Sequence, residues 1–218
     1  MPHAWVLVAG LGLVAGTLVN RWIEAHLVQR QGTAAPRRPG FALGPLSPLG
    51  LFMAPAFVVL ARAVGTGPRL VPALLLTTVL AAAALADVRA RIIPNRLLLW
   101  AAAAWILAEV LGTGVAPLWS LAGALAGGGG MLLASVATRG GVGLGDAKLA
   151  AVMGLMLGPA AVAMALGAAF VLGAVGSVVL LALRRVGVDS YIPLAPFLLA
   201  GGLMAFVAAG PFAMGVKP

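Results

Sequence analysis

Long apolar runs, each closed by charge or by Gly and Pro, follow one another along the chain from its first residues. They fall at about 4–20, 48–63, 70–86, 97–112, 117–137, 147–158, 160–183 and 192–210. A helix crosses the hydrocarbon core of a bilayer with about 20 residues, and with fewer where the bilayer is locally thinned. The pattern therefore predicts an all-α fold, a polytopic transmembrane helix bundle of about eight spans. The break at Gly158-Pro159 is the weakest of these divisions, since one long kinked helix from 147 to 183 would also satisfy the hydropathy.

Charge separates the two. With eight spans and the N-terminus outside, all of the 14 basic residues except Arg62, Arg69 and Lys217 fall on the inner side. Fusing the sixth and seventh spans would move Arg184 and Arg185 to the outer side, against the positive-inside bias. Eight spans follow. The first run starts almost at Met1, with neither a basic leader nor a small-residue cleavage site after it, so it reads as a retained helix. Residues 1–69 read as N-terminal helices with a short cysteine-free cytoplasmic loop, and 70–218 as a catalytic membrane core. Gln29 to Pro48 is Pro/Gly-rich and basic, and reads as irregular loop. The many glycines within spans, Gly123, Gly127–Gly130, Gly167, Gly173 and Gly176 among them, read as close helix packing in lipid.

Composition agrees with this and removes other classes. The chain is 62% hydrophobic and only 9% charged, with a mean hydropathy of +1.11. A soluble domain carries roughly 25% charge. The net charge of +9 lies between the apolar runs, where it serves as a topology signal and meets anionic membrane lipids. Nucleic acid is not expected as a partner. The absence of cysteine excludes disulfides and thiolate metal sites, and His3 and His26 are too few and too far apart for a metal centre. No metal is expected.

Five acids carry the chemical information: Glu24, Asp87, Glu109, Asp146 and Asp189. An acid inside or at the edge of an apolar span is costly and calls for a reason. Asp87 ends the third span and Asp146 opens the sixth, so the eight-span arrangement puts both at the cytoplasmic edge, 59 positions apart in sequence. Two neighbouring carboxyl groups in a low-dielectric site cannot both ionise easily. One can then take a proton from water while the other donates to a carbonyl oxygen, the division of labour in aspartic proteases. Blander readings exist for each: Asp87 as a solvated helix end facing Arg89 or Arg91, and Asp146 as a helix N-cap. Against them stand Gly141, Gly143 and Gly145, which let main-chain donors or an extended peptide approach Asp146, and Pro94, which fixes a turn after Asp87. Glu24 and Asp189 fall in expected cytoplasmic loops and are assigned no chemistry; Glu109 reads as interfacial.

Asp87-Val-Arg-Ala-Arg-Ile-Ile-Pro-Asn95 resembles the first aspartate motif of the bacterial type IV prepilin leader peptidases, and Gly143-Leu-Gly-Asp-Ala-Lys-Leu149 resembles their second, the Gly-x-Gly-Asp of membrane aspartyl proteases. Ile192-Pro-Leu-Ala-Pro-Phe197 is similar to the stretch opening the family's last helix, with Leu194 and Ala195 in place of the usual pair. Three motifs in order cover roughly 70–210. The resemblance implies Asp87 and Asp146 as catalytic residues, no cofactor for proteolysis, and cleavage of a short basic leader from prepilin or pseudopilin precursors at the cytoplasmic face of the cell membrane. Gly143, Gly145, Lys148, Pro94 and Asn95 would shape the site or hold the peptide. Gly16-Thr-Leu-Val-Asn20 is similar to the end of the first helix in the bifunctional members, which also N-methylate their product. Those members usually carry paired Cys-x-x-Cys motifs in a cytoplasmic domain. Here there is no cysteine and the loop from about 21 to 47 is short, so S-adenosylmethionine has a place, near Asn20, Arg21 and Glu24, only if methyl transfer is retained.

Three rivals differ in what they need. A proton- or cation-coupled transporter using the same aspartates calls for acids near the bilayer midplane and discontinuous helices. A secretion scaffold gives no reason for two edge aspartates. A presenilin-like protease shares Gly-x-Gly-Asp, but its first aspartate usually follows Tyr, where this chain has Ala86. The sequence gives no signal of oligomeric state.

Overall fold

The computed structural model describes residues 2–31, 47–67, 70–110, 116–185, 187 and 190–209. Among these the secondary structure is helical throughout. The helices are α1 (Pro2–Gln31), α2 (Pro48–Val64), α3 (Leu70–Ala90), α4 (Asn95–Val110), α5 (Pro117–Ala124), α6 (Gly130–Ala137), α7 (Leu144–Leu157), α8 (Pro159–Ala182) and α9 (Ala195–Ala209). A π-helical turn, Leu125–Gly129, joins α5 to α6, so the two form one rod and the described residues form eight. Four of these are long and apolar enough to cross a membrane: Ala4–Leu27, Leu70–Ala90, Pro117–Ala137 and Pro159–Ala182. The protein is a membrane protein by this criterion, and side chains such as Leu118, Val136 and Val110 project outward with no protein around them.

The chain breaks where Gly and Pro dictate. Gly158 takes φ +78°, a left-handed conformation that a side chain resists. Its N–H closes α7 on the Gly154 carbonyl and its own carbonyl opens α8 by accepting from Val162. Pro159 at the first helical position loses no hydrogen bond there. The single kinked helix over 147–183 is thereby ruled out.

Two readings are corrected. The cytoplasmic loop expected from 21 does not begin there, because α1 runs on to Gln31 and carries Glu24 on a helix; residues 32–46 lie outside the described residues, as does Asp189. Asp87 sits within the last turn of α3, which ends at Ala90, in keeping with its expected place at the end of the third span. Asp146 is not an N-cap: Gly143 holds that position with extended backbone, and Asp146 lies in the first turn of α7.

Glycine sets the close seams, because only a missing Cβ lets backbones touch. A Cβ on Gly16 would meet the Gly50 backbone of α2, one on Gly123 the Gly154 carbonyl of α7, one on Gly127 the Ala150 carbonyl, and one on Gly201 the Ala165 carbonyl of α8. Gly129, Gly130 and Gly167 have nothing within 4 Å, so the packing role expected of them does not hold; Gly173 and Gly176 face the ring of Phe197 instead. Around these seams, α3 packs against α1, α2, α4 and α9, and touches α7. Its middle is accordingly buried from Leu76 through Ala84, with Thr78 alone partly exposed, although it is apolar on every face.

Candidate active site

The turn from α3 to α4 and the first turn of α7 come together. Arg91 closes α3 with its N–H on the Asp87 carbonyl, at 2.8 Å, and adopts φ +53°. The chain then passes through Ile92, Ile93 and the buried Pro94 into α4, whose start is marked by the Leu97 N–H on the Pro94 carbonyl. Ile93 lies against Gly145: a Cβ placed there would stand 3.4 Å from that of Ile93. Asn95, first residue of α4, accepts from Lys148 Nζ at 3.4 Å. The two aspartate segments therefore form one surface, bridged by a side-chain contact 53 positions apart in sequence.

Asp87 is buried. Its Oδ2 accepts the main-chain N–H of Ala195 at 3.1 Å. Ala195 is the first residue of α9, so the carboxylate sits at a helix N-terminus, where free N–H groups and the helix dipole favour negative charge. The Ile192–Phe197 segment thereby turns the start of α9 onto Asp87. The ion pair with Arg89 or Arg91 that would have made Asp87 an ordinary helix end does not form, because Arg89 turns to Glu24 at 3.2 Å. Glu24 and Asn20, which sequence would offer to a methyl-donor cofactor, are both engaged with Arg89.

Asp146 is half-buried and close enough to Asp87 for the two charges to act on each other. One face of its carboxylate is turned to Gly143, whose backbone N–H bonds to it and where a Cβ would stand 3.1 Å from Oδ2. The other oxygen, Oδ1, is buried without a hydrogen-bond partner. A buried carboxylate oxygen left unsatisfied is costly, and a proton, a water or a peptide group placed there would remove that cost. Every residue singled out from sequence, namely Asp87, Asp146, Gly143, Gly145, Lys148, Pro94 and Asn95, lies in this one region. The Ala195 N–H was not foreseen; the third motif pointed to its neighbourhood, but a main-chain donor leaves no mark in residue type.

The arrangement is that of two interacting carboxyl groups, one anchored by a helix N-terminus and one with an open oxygen. No match appears among curated proteins or among solved structures. Residues 74–178 match the family model described as the type IV leader peptidase family, a segment that holds both aspartates and both loops just described. Over that segment, just under half of the chain, the protein is similar to the type IV leader peptidase family, and the match supports a membrane peptidase.

Proposed function

We propose that this protein is an aspartic endopeptidase that removes the leader of type IV prepilin or pseudopilin precursors, with Asp87 and Asp146 as its catalytic pair. The observation that carries the reading is the meeting of Asp87 and Asp146, two acids at helix ends close enough for their charges to interact, one of them with an unsatisfied buried oxygen. Sharing one proton between them, the carboxylate takes a proton from water as its oxygen attacks the scissile carbonyl carbon, and the carboxylic acid donates its proton to the carbonyl oxygen. The tetrahedral diol then collapses: one of its hydroxyls gives its proton to the ionised aspartate, the C–N bond breaks, and the leaving nitrogen takes the proton of the other aspartate, so the pair again holds one proton. Which aspartate holds the proton is a property of the pair rather than of either residue. Carboxyl groups and water suffice, so proteolysis is assigned no cofactor.

The site is assigned to the cytoplasmic face of the cell membrane, with eight crossings and the N-terminus outside. The support is the distribution of basic residues, which gathers Arg89, Arg91, Arg96, Arg139, Lys148 and Arg184 at the same ends of the helices as the aspartates. A substrate helix in the lipid would present its polar leader at that edge, against Gly143 and Gly145. The mature product is assigned an unmethylated N-terminus, since the segment between α1 and α2 is too short to form a core of its own. Co-expression with prepilin precursors tests the reading: a leader-sized mobility shift with the wild-type chain supports it, and mass spectrometry of the product checks for an added methyl group. Precursors that stay full-length beside a correctly inserted protein would sink it.

A further inference from the structure

The last turn of α3 has two working sides. Helical residues are spaced about 100° apart, which turns Arg89 about 160° away from Asp87. Asp87 meets α9 through Ala195, while Arg89 reaches α1. Its Nη1 donates to Glu24 Oε1 at 3.2 Å and its Nη2 to Asn20 Oδ1 at 3.0 Å. Asn20 Nδ2 in turn donates to Glu24 Oε1 at 3.0 Å, closing the triad along one face of α1, where residues four apart are neighbours.

An exposed ion pair alone contributes little. This one differs in its third member, because Asn20 is buried and would be left with an unmet amide if Arg89 or Glu24 were lost. Val88, next to Arg89, is exposed. Leu85, Val88 and Arg89 border an open cleft of about 360 Å³ whose other walls include Leu49 and Phe52 of α2. The polar triad bridges what side-chain packing leaves unfilled.

We infer that Asn20, Glu24 and Arg89 are positioning residues: a clamp by which the N-terminal helix holds the last turn of α3 and keeps Asp87 aimed at Asp146. The inference rests on the catalytic reading above for its effect on turnover, but not for the clamp itself. It also gives α1 a place in the peptidase, although the family match begins only at residue 74. Small displacements of a reacting group are expensive in rate while leaving substrate binding largely intact.

The full-length chain in lipid nanodiscs provides the test, with Asn20→Ala, Glu24→Gln and the charge-reversed pair Glu24→Arg with Arg89→Glu. Each single substitution is expected to speed hydrogen–deuterium exchange across residues 84–91 about tenfold. Each should lower kcat for leader cleavage about tenfold with KM unchanged, and the reversed pair should recover much of both. Wild-type exchange in that segment, or faster exchange with wild-type kcat, overturns the proposal, as does a reversed pair no better than Glu24→Gln. Should the wild-type protein cleave no leader at all, the proposed function fails, and the exchange rates still decide the clamp.

Discussion

Asp87 and Ala195, 108 positions apart, are joined by a single hydrogen bond of 3.1 Å from a main-chain N–H to a carboxylate oxygen. Only removal of the N–H can break it from the α9 side, and proline does that with little harm to a first helical position. Ala195→Pro should therefore lower leader cleavage tenfold to a hundredfold, the range set by a hydrogen bond to a charged group at about 1.5–3 kcal/mol. Ala195→Ser keeps the donor and should cleave at close to the wild-type rate. Equal rates for the two variants would show that this contact does not matter to turnover.

The catalytic assignment has its own test in non-additivity. Asp87→Asn and Asp146→Asn should each abolish cleavage in a protein that still inserts, and the double variant should be no worse than either. A single variant that still cuts precursor on a gel would remove its residue from the chemistry.

The division into helices was legible because apolar runs, charges and one Gly-Pro step are all local signals. The aspartates could be brought together from sequence because two span ends on one side of a membrane form a small set. What escaped was of another kind. Hydropathy ends the first span at Asn20, yet the helix continues through Arg21 and Glu24, since Arg and Glu are good helix formers. The Arg89–Glu24 pairing, 65 positions apart, and the donor at Ala195 depend on how helices are laid side by side, which no local pattern encodes.

Topology can be read with single cysteines, since the natural chain has none. A membrane-impermeant thiol reagent applied outside should label Thr66→Cys and leave Gly140→Cys and Gly187→Cys unmodified, all three sites being exposed in the fold. Labelling at 187 without labelling at 140 would reverse the last segments and remove the eight-crossing arrangement.

Packing predicts opposite outcomes for glycines that look alike in sequence. Gly123→Ala forces a methyl group into the Gly154 carbonyl and should destabilise the fold by about 1–3 kcal/mol, the usual cost of overpacking. Gly167→Ala, within α8 and with open space around it, should be neutral or mildly stabilising. Thermal unfolding in detergent separates them, and a lower midpoint for Gly167→Ala than for Gly123→Ala would contradict the seam.

That seam has a mechanical consequence. Where Gly123 and Gly127 meet Gly154 and Ala150, main chain rests on main chain, and no rotamer stands between the two helices. Such a contact has no soft coordinate: it cannot yield by turning a side chain, only by separating whole helices. Asp146 therefore rides on a stiff rail. Asp87 is borne by a helix end that polar side chains and one N–H hold in place, all of which can swing or let go. Any opening that admits a peptide between the two acids must come from the compliant side, with the last turn of α3 yielding while α7 stays still and α9 keeps its own main-chain contact with α8.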